Sequence, residues 1–299
     1  MKTQTYTKIN TLYKRYRNLG KVELPNKSWM KFQNKIIAGN FSDPEVAYLK
    51  DCLWDCYSKI DGTNTKIIFW PSTGICTYGG KTDNADLKQH DKIMPEIVKR
   101  ITPMLKEMFP PETARYAQVM NDKNQPQYFV CGTPLDEVQT AGKFEVELVE
   151  VPVYIYGELF GAGVQKGGHY SKGLRFTAFD ICQQGWWLPM DMFTDICSKL
   201  GIATAPFLGQ MTLLEAENMV ATGFPTAVPD VEDPNYIEEG IVARPIAPVK
   251  DGRGKRIIVK IKYCDYKELK DAIDEVGFEE YEAFHEWYIQ HQDEIENAE

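Results

Sequence analysis

The stretch Lys59-Ile-Asp-Gly-Thr-Asn64-Thr-Lys-Ile-Ile-Phe-Trp70-Pro-Ser-Thr-Gly74-Ile-Cys-Thr-Tyr-Gly-Gly80 carries the reading of this chain. Its two β-prone runs, 65–70 and 75–80, flank a Pro-Ser-Thr-Gly turn and predict a hairpin. A lysine stands at the entry to the first strand. Partly removed from water and near other cations, an amine there loses preference for its charged form and can attack an electrophile. Gly62 permits a tight turn, so Asp61 and Asn64 can curl toward the same cleft. They offer a carboxylate for a metal-bound water and an amide for a phosphate or sugar. A solvated Asp-Gly turn would contain the same letters, and four fixed residues at these offsets arise by chance in roughly a few of a thousand such chains. The rest of the chain has to decide.

Working outward, Lys88 to Phe109 places Ile93, Ile97, Ile101, Leu105 and Met108 at helical spacing, with Pro95 and Pro103 as interruptions, which predicts a broken helix. Strands are expected at 127–131, 144–159 and 174–182, the last holding Asp180 in an apolar run. Helices follow at 190–200 and 213–222, each with a glycine beyond its end. Strands resume at 240–244 and 256–263, and from Tyr266 an acidic helical appendix begins. In it Leu269, Ile273, Val276, Tyr281, Phe284, Trp287 and Tyr288 could cover the core. Strands alternate here with hairpins and long connections rather than with regular βαβ units. The expectation is an α+β fold with antiparallel sheets forming a cleft and helices packed outside.

The 299 residues are 43% hydrophobic and 26% charged, an ordinary globular composition. No apolar run approaches the ~18 residues of a membrane span, and the opening lacks a signal peptide's apolar centre, so a soluble intracellular protein is expected. Seven scattered cysteines point to free thiols. Cys52 and Cys56 could share a helical face, but no second Cys/His pair completes a zinc site, so they read as small buried hydrophobes. The net charge of −9 argues against non-specific adhesion to nucleic acid. It hides a gradient of +8 over residues 1–36 and −11 over 264–299. The basic end is expected to draw phosphates and the acidic end to repel them.

Strict alternation in 256–263 puts Ile257, Val259, Ile261 and Tyr263 on one face and Ile258, Lys260 and Lys262 on the other. Two neighbouring ammoniums suit an anion such as a nucleotide phosphate, although lysines also protect exposed strand edges. Glu158, Asp180 and Glu239 lie among apolar residues and need partners, for which lysines or Mg²⁺ would serve.

Taken in order, Lys-x-Asp-Gly-x-Asn at 59–64, Gly-Gly-Lys-Thr-Asp at 79–83, Tyr-Gly-Glu-Leu at 156–159, Phe-Thr-Ala-Phe-Asp at 176–180, Glu-Gly-Ile-Val at 239–242 and Lys-Ile-Lys at 260–262 resemble the nucleotidyltransferase motifs of ATP-dependent polynucleotide ligases. The likeness is strongest to the RNA ligases of bacteriophages, in which asparagine ends the first motif, as Asn64 does here. It extends over roughly 6–263. The opening 6–15, the segment 79–85 and the loop 161–168 share it.

This resemblance implies an ATP-dependent RNA ligase. Residues 1–263 would form an adenylation domain with an ATP cleft, and 264–299 an acidic appendix. Lys59 would attack the α-phosphate of ATP to form lysyl-AMP, AMP would pass to an RNA 5′-phosphate, and a 3′-hydroxyl would close the strand. Lys81, Lys260 and Lys262 would contact phosphate or ribose, Glu158 would contact ribose, and Phe179, with Phe176 as its rival, would stack on adenine beside Asp180. Ile60 and Asn64 would line the nucleotide. Asp61 and Glu239 would organise Mg²⁺ through water. The setting would be the cytoplasm of a phage-infected or prophage-carrying bacterium, and the task RNA repair. Three features depart from the family: Ser58 stands where glutamate is usual, Lys81 where arginine is common, and only 36 residues follow Tyr263. RNA is then expected to meet the basic amino-terminal segment and the loop 161–173, with Lys166, His169, Tyr170 and Lys172. Simple flexibility is the alternative for that loop. A ligase of the same chemistry for DNA or mixed ends, and an inactive nucleotide- or RNA-end-binding protein, are the competing readings. A capping guanylyltransferase fits less well, since the residues after Tyr263 leave no room for a second β-barrel.

Overall fold

The computed structural model describes residues 6–24, 26–111, 115–120, 126–130, 147–150, 152–183 and 186–297. In chain order the strands are β1 (Asn10–Thr11), β2 (Tyr13–Arg15), β3 (Ile36–Phe41), β4 (Trp54–Ser58), β5 (Thr63–Trp70), β6 (Ile75–Gly80), β7 (Arg115–Met120), β8 (Pro126–Val130), β9 (Glu147–Glu150), β10 (Val153–Phe160), β11 (Arg175–Gln183), β12 (Trp186–Trp187), β13 (Ala203–Thr204), β14 (Phe207–Met211), β15 (Gly240–Pro245) and β16 (Val259–Lys262). The helices are α1 (Pro44–Tyr48), α2 (Met94–Met108), α3 (Met190–Leu200), α4 (Leu213–Thr222), α5 (Tyr263–Val276), α6 (Phe278–Gln290) and α7 (Gln292–Glu296). The chain divides into two compact units. The first holds Met1–Tyr6, Asp61–Ala205 and Asp230–Glu232, and the second holds Thr7–Ile60, Pro206–Pro229 and Asp233–Glu299.

The first unit is built on an antiparallel sheet ordered β12-β11-β10-β5-β6, with β13 added in parallel on β11. The hairpin expected from 65–80 is β5–β6, registered from Thr65 opposite Gly80 to Trp70 opposite Ile75. One face of this sheet, with Ile67, Phe69, Val153, Ile155, Phe176, Ala178 and Ile181, packs on Met94, Ile101 and Leu105 of α2 and on Phe193, Cys197 and Leu200 of α3. A separate sheet, β8-β7-β9, belongs to the same unit.

The second unit is built on β1-β16-β15-β4-β14, antiparallel except for the β1–β16 pair, with the small β2–β3 sheet beside it in sequence. Its core gathers Trp54 and Cys56 of β4, Ile241 and Ala243 of β15, and Val259 and Ile261 of β16. Leu213, Ala216 and Val220 of α4, together with Leu269, Phe284 and Tyr288 of the carboxyl-terminal helices, complete it. The α+β class with antiparallel sheets is therefore as expected.

Helices α3 and α4 span the predicted residues. Thr212 and Glu215 form a reciprocal cap at the start of α4, and Gly201 ends α3 in the left-handed conformation at φ 62°. The helical stretch expected over 88–109 is broken before Pro95, where a short turn at His90–Lys92 gives way to α2, but the interruption expected at Pro103 is corrected: α2 runs unbroken from Met94 to Met108. Pro95 lies in its first turn, where no intrahelical donor is lost, and Pro103 lies on the exposed side, where water can serve the carbonyl left unbonded. The single strand expected over 144–159 is two strands in different sheets, β9 and β10, with Pro152 before the second. Residues 144–146 and 151, and Cys131 at the end of the strand expected at 127–131, lie outside the described residues, as does Lys2. Alternation in the lysine strand begins only at Val259, because Ile258 is buried and Ile257 partly exposed before the strand starts.

Cys52, Cys56, Cys76, Cys182, Cys197 and Cys264 are free thiols. Cys52 and Cys56 do not share a helical face, since Cys56 is a core residue of β4 and Cys52 is exposed before it. No helix among the described residues is long and apolar enough to cross a membrane.

Candidate active site

In the second unit, burial of Trp54, Cys56 and Ser58 fixes the facing of β4. Asp55, Tyr57 and the following Lys59 take the opposite face. Core residues Ile241, Ala243, Val259 and Ile261 likewise put Val242, Arg244, Lys260 and Lys262 on that opposite face. The Lys59 amide donates to the Gly240 carbonyl at 2.9 Å, and the Tyr263 amide to the Glu239 carbonyl at 2.9 Å, so Glu239 is held by backbone on both sides. A Cβ on Gly240 would lie 1.9 Å from the Ile261 carbonyl oxygen, so only glycine allows this approach of β15 to β16.

The Glu239 carboxylate accepts from two ammoniums, Lys59 through Oε2 and Lys262 through Oε1, the latter at 3.0 Å. Lys260 has no ion-pair partner among the described residues. Burial first, and then the charges of Lys262 and Lys59, hold the Lys260 ammonium below the usual lysine range. Burial works against the Lys262 ammonium too, but the charge and hydrogen bond of Glu239 outweigh it and raise it above that range. Three ammoniums around one carboxylate leave this face with positive charge to offer a phosphate. Edge protection does not explain the lysines, because β16 is paired on both sides, with β15 and with β1.

Ile60 is buried, 5% exposed. Ser58 is buried on the core side with its hydroxyl unpartnered and points away from the lysine face.

The first unit gathers the remaining candidates on the sheet face opposite α2 and α3. Across β5 and β10, Asn64 stands opposite Glu158, and Lys66 opposite Tyr156. Across β10 and β11, Glu158 stands opposite Thr177 and Tyr156 opposite Asp180. The register slips between Tyr156 and Gly157, so the pairing passes from Asp180 to Ala178 and skips Phe179. This bulge switches the alternation. Phe176 and Ala178 fall in the core before it and Ile181 after it, while Asp180 takes the other face. Phe179 is half-buried outside that core. Asp61 opens this unit, its amide reaching the Tyr170 hydroxyl at 3.4 Å. Gly62 does not have the positive φ expected of a tight turn. A Cβ there would meet the Leu159 carbonyl oxygen at 2.5 Å, so its role is close approach to β10. The Asn64 side-chain oxygen is buried without a partner. Lys81 is exposed just past β6 and makes no ion pair among the described residues.

The sequence reading missed Tyr6 and Lys66. The Tyr6 hydroxyl donates to the wholly buried Asp180 at 2.9 Å, and its ring packs edge-on against Phe179, Tyr156 and Trp187 at 5.0–5.3 Å. Lys66 is buried, lies across Gly79 and pairs with Asp83 at 3.2 Å. Strand alternation from Ile67 and Phe69 was the available signal for Lys66. For Tyr6 the resemblance of the opening 6–15 was the available signal, and no local pattern placed it beside Asp180.

The loop 161–173 buries Gly161, Val164, Gly167 and Tyr170 and exposes Lys166, His169 and Lys172. Its internal hydrogen bonds, Ala162 to Ser171 and Gly167 to Val164 among them, make it a compact turn structure rather than a loose connection.

The amino-terminal charges are placed differently from the expectation. In the second unit Arg15 pairs with Asp265 at 2.6 Å, Lys35 with Glu268 at 2.9 Å, and Lys31 with Glu275, so the acidic helices lie against the basic segment and pair three of its nine basic residues.

Among the described residues no group of three or more His, Cys, Asp or Glu is placed to hold a metal ion directly. A family model described as RNA ligase matches residues 54–262. No curated protein matches the chain. Among solved structures, a Naegleria gruberi RNA ligase variant in its apo form is 13% identical with a TM-score of 0.47, the match covering 76% of this chain and 54% of that one. A variant of the same enzyme with AMP and Mn is 12% identical with a TM-score of 0.47 and the same coverage, and the enzyme with PPi is 15% identical with a TM-score of 0.45. The match thus spans about half the length of those proteins.

Proposed function

The chain belongs to the RNA ligase family, and from that premise we propose that it is an ATP-dependent ligase joining RNA 5′-phosphate and 3′-hydroxyl ends. The observation that carries the reading is the convergence of Lys59, Glu239, Lys260 and Lys262 on one sheet face of the second unit. Lys59 Nζ, after giving up a proton, attacks the α-phosphorus of ATP. An N–P bond forms as the bond to the pyrophosphate oxygen breaks, leaving lysyl-AMP. AMP then passes to an RNA 5′-phosphate, and the 3′-hydroxyl attacks that phosphate to form the phosphodiester and release AMP. Lys260 and Lys262 stabilise charge on the phosphoryl group in transit.

Asn64, Glu158, Phe179 and Asp180, with Ile60 and Lys81, would hold the nucleoside and its phosphates. Glu239 and Asp61 are the carboxylates suited to Mg²⁺. In this reading each would act through metal-bound water, as a carboxylate does toward a hydrated Mg²⁺. When bound, Mg²⁺ neutralises phosphate charge and polarises the phosphoryl oxygens. In this reading residues 1–263 are the adenylation domain and 264–299 its helical support. The proposed setting, supported by the phage-type resemblance, is the cytoplasm of an infected or prophage-carrying bacterium, and the proposed task is RNA repair.

Joining of 5′-phosphorylated RNA and DNA strands, each with ATP and Mg²⁺, tests the substrate. The expected result is sealing of RNA with release of AMP. Sealing of DNA alone would replace RNA as the substrate, and sealing of neither would remove the ligase reading.

A further inference from the structure

In the second unit, the lysine-bearing face continues outward beyond the lysines. The register aligns Lys260 of β16, Val242 of β15, Tyr57 of β4 and Phe207 of β14 in one cross-strand row. With strands ~4.8 Å apart, the row extends roughly 14 Å from the Lys260 strand to the sheet edge. Phe207 lies on that edge strand and is 55% exposed, whereas its neighbour Leu208 packs on the core. The Phe207 and Tyr57 rings lie 5.3 Å apart, and the Arg244 guanidinium lies 5.8 Å over the Tyr57 ring. Asp55, the acid on this part of the face, accepts a hydrogen bond from Gln210 at 3.0 Å.

An exposed and a half-buried aromatic beside an arginine, in line with the lysines, have the chemistry of a single-stranded nucleic-acid groove. Cations follow the backbone there while rings stack the bases. A duplex would not use such rings, because its bases are already stacked.

We propose that the Phe207–Tyr57 pair, with Arg244, is a nucleobase platform that stacks a base of a single-stranded RNA end within a few nucleotides of the phosphate held at Lys260 and Lys262. The proposal rests on the ligase reading and names the strand feature that the same face recognises.

The test measures the Kd of the full-length protein for a labelled, 5′-phosphorylated single-stranded RNA oligonucleotide, using the parent, Phe207→Ala, Phe207→Trp and Leu214→Ala. Leu214 is also exposed in this unit but lies off the row. Loss of one stacked base should weaken Phe207→Ala about tenfold or more, while Phe207→Trp binds as the parent does and Leu214→Ala is unchanged. An unchanged Kd in Phe207→Ala, an equal loss in Leu214→Ala, or failure of Phe207→Trp to retain binding would overturn the platform. Adenylation by ATP, which needs no RNA, is measured on the same preparations. Its absence in the parent would overturn the ligase reading, while the Kd series would still decide whether the rings grip RNA.

Discussion

Two basic clusters occupy the second unit, and they differ in what surrounds them. Lys59 and Lys262 share a single carboxylate, Glu239, while Lys260 beside them has no ion pair among the described residues, so this face is left with charge to offer a phosphate. Of the nine basic residues in 1–36, Arg15, Lys31 and Lys35 are matched one for one by Asp265, Glu275 and Glu268, carboxylates of the acidic helices. Formal charge along the sequence therefore does not locate the site; the gathering of three lysines about one carboxylate on a single sheet face does. The first cluster should control chemistry and the second should control stability.

The largest expected effect comes from the lysine face. Lys260→Ala or Lys262→Ala should slow lysine adenylation about a hundredfold, the equivalent of about 3 kcal/mol for one lost donor at a reacting phosphate, while the melting temperature stays nearly constant. Adenylation at the parent rate in both variants, measured by single-turnover labelling with ATP, would make that cluster as structural as the other.

Next comes Arg15→Ala. It strands a carboxylate, Asp265, whose side chain is only 9% exposed, and should cost about 2 kcal/mol in urea unfolding with adenylation retained. Loss of adenylation without loss of stability would erase the contrast between the clusters.

The smallest effect concerns pH. His285, on α6, is hydrogen-bonded to the Tyr16 hydroxyl at 2.7 Å, and burial holds its pKa below the usual 6.5 despite the nearby Glu286. The unfolded chain then binds more protons than the fold between these two values. The contribution of His285 is fully present above about pH 6.5 and is lost as pH falls toward its folded pKa, by at most about 1.4 kcal/mol per pH unit. His285→Gln should flatten that part of the stability profile. An equally steep profile in the variant would assign the slope to other groups.

Much of this was legible in advance where a local rule acts alone. The hairpin at 65–80 and helices α3 and α4 follow from turn residues, caps and terminal glycines, and the facing of Lys260 and Lys262 follows from a period of two. The long-range placements were not legible. That Arg15 meets Asp265, 250 residues away, depends on packing that no local pattern encodes. That Phe179 and Asp180 lie on the outer face beside Phe176 and Ala178 in the core depends on a bulge, which interrupts the alternation a sequence reader assumes. Pro103 misled because a proline's cost depends on whether the freed carbonyl is solvated.

The most direct measurement is the intact mass of the protein after incubation with ATP and Mg²⁺, alongside Lys59→Ala. The account predicts that the parent gains one AMP through a bond that acid cleaves and alkali leaves intact, mapped by peptide analysis to Lys59, and that the variant gains none. An adduct on Lys59→Ala, or none on the parent, would contradict it.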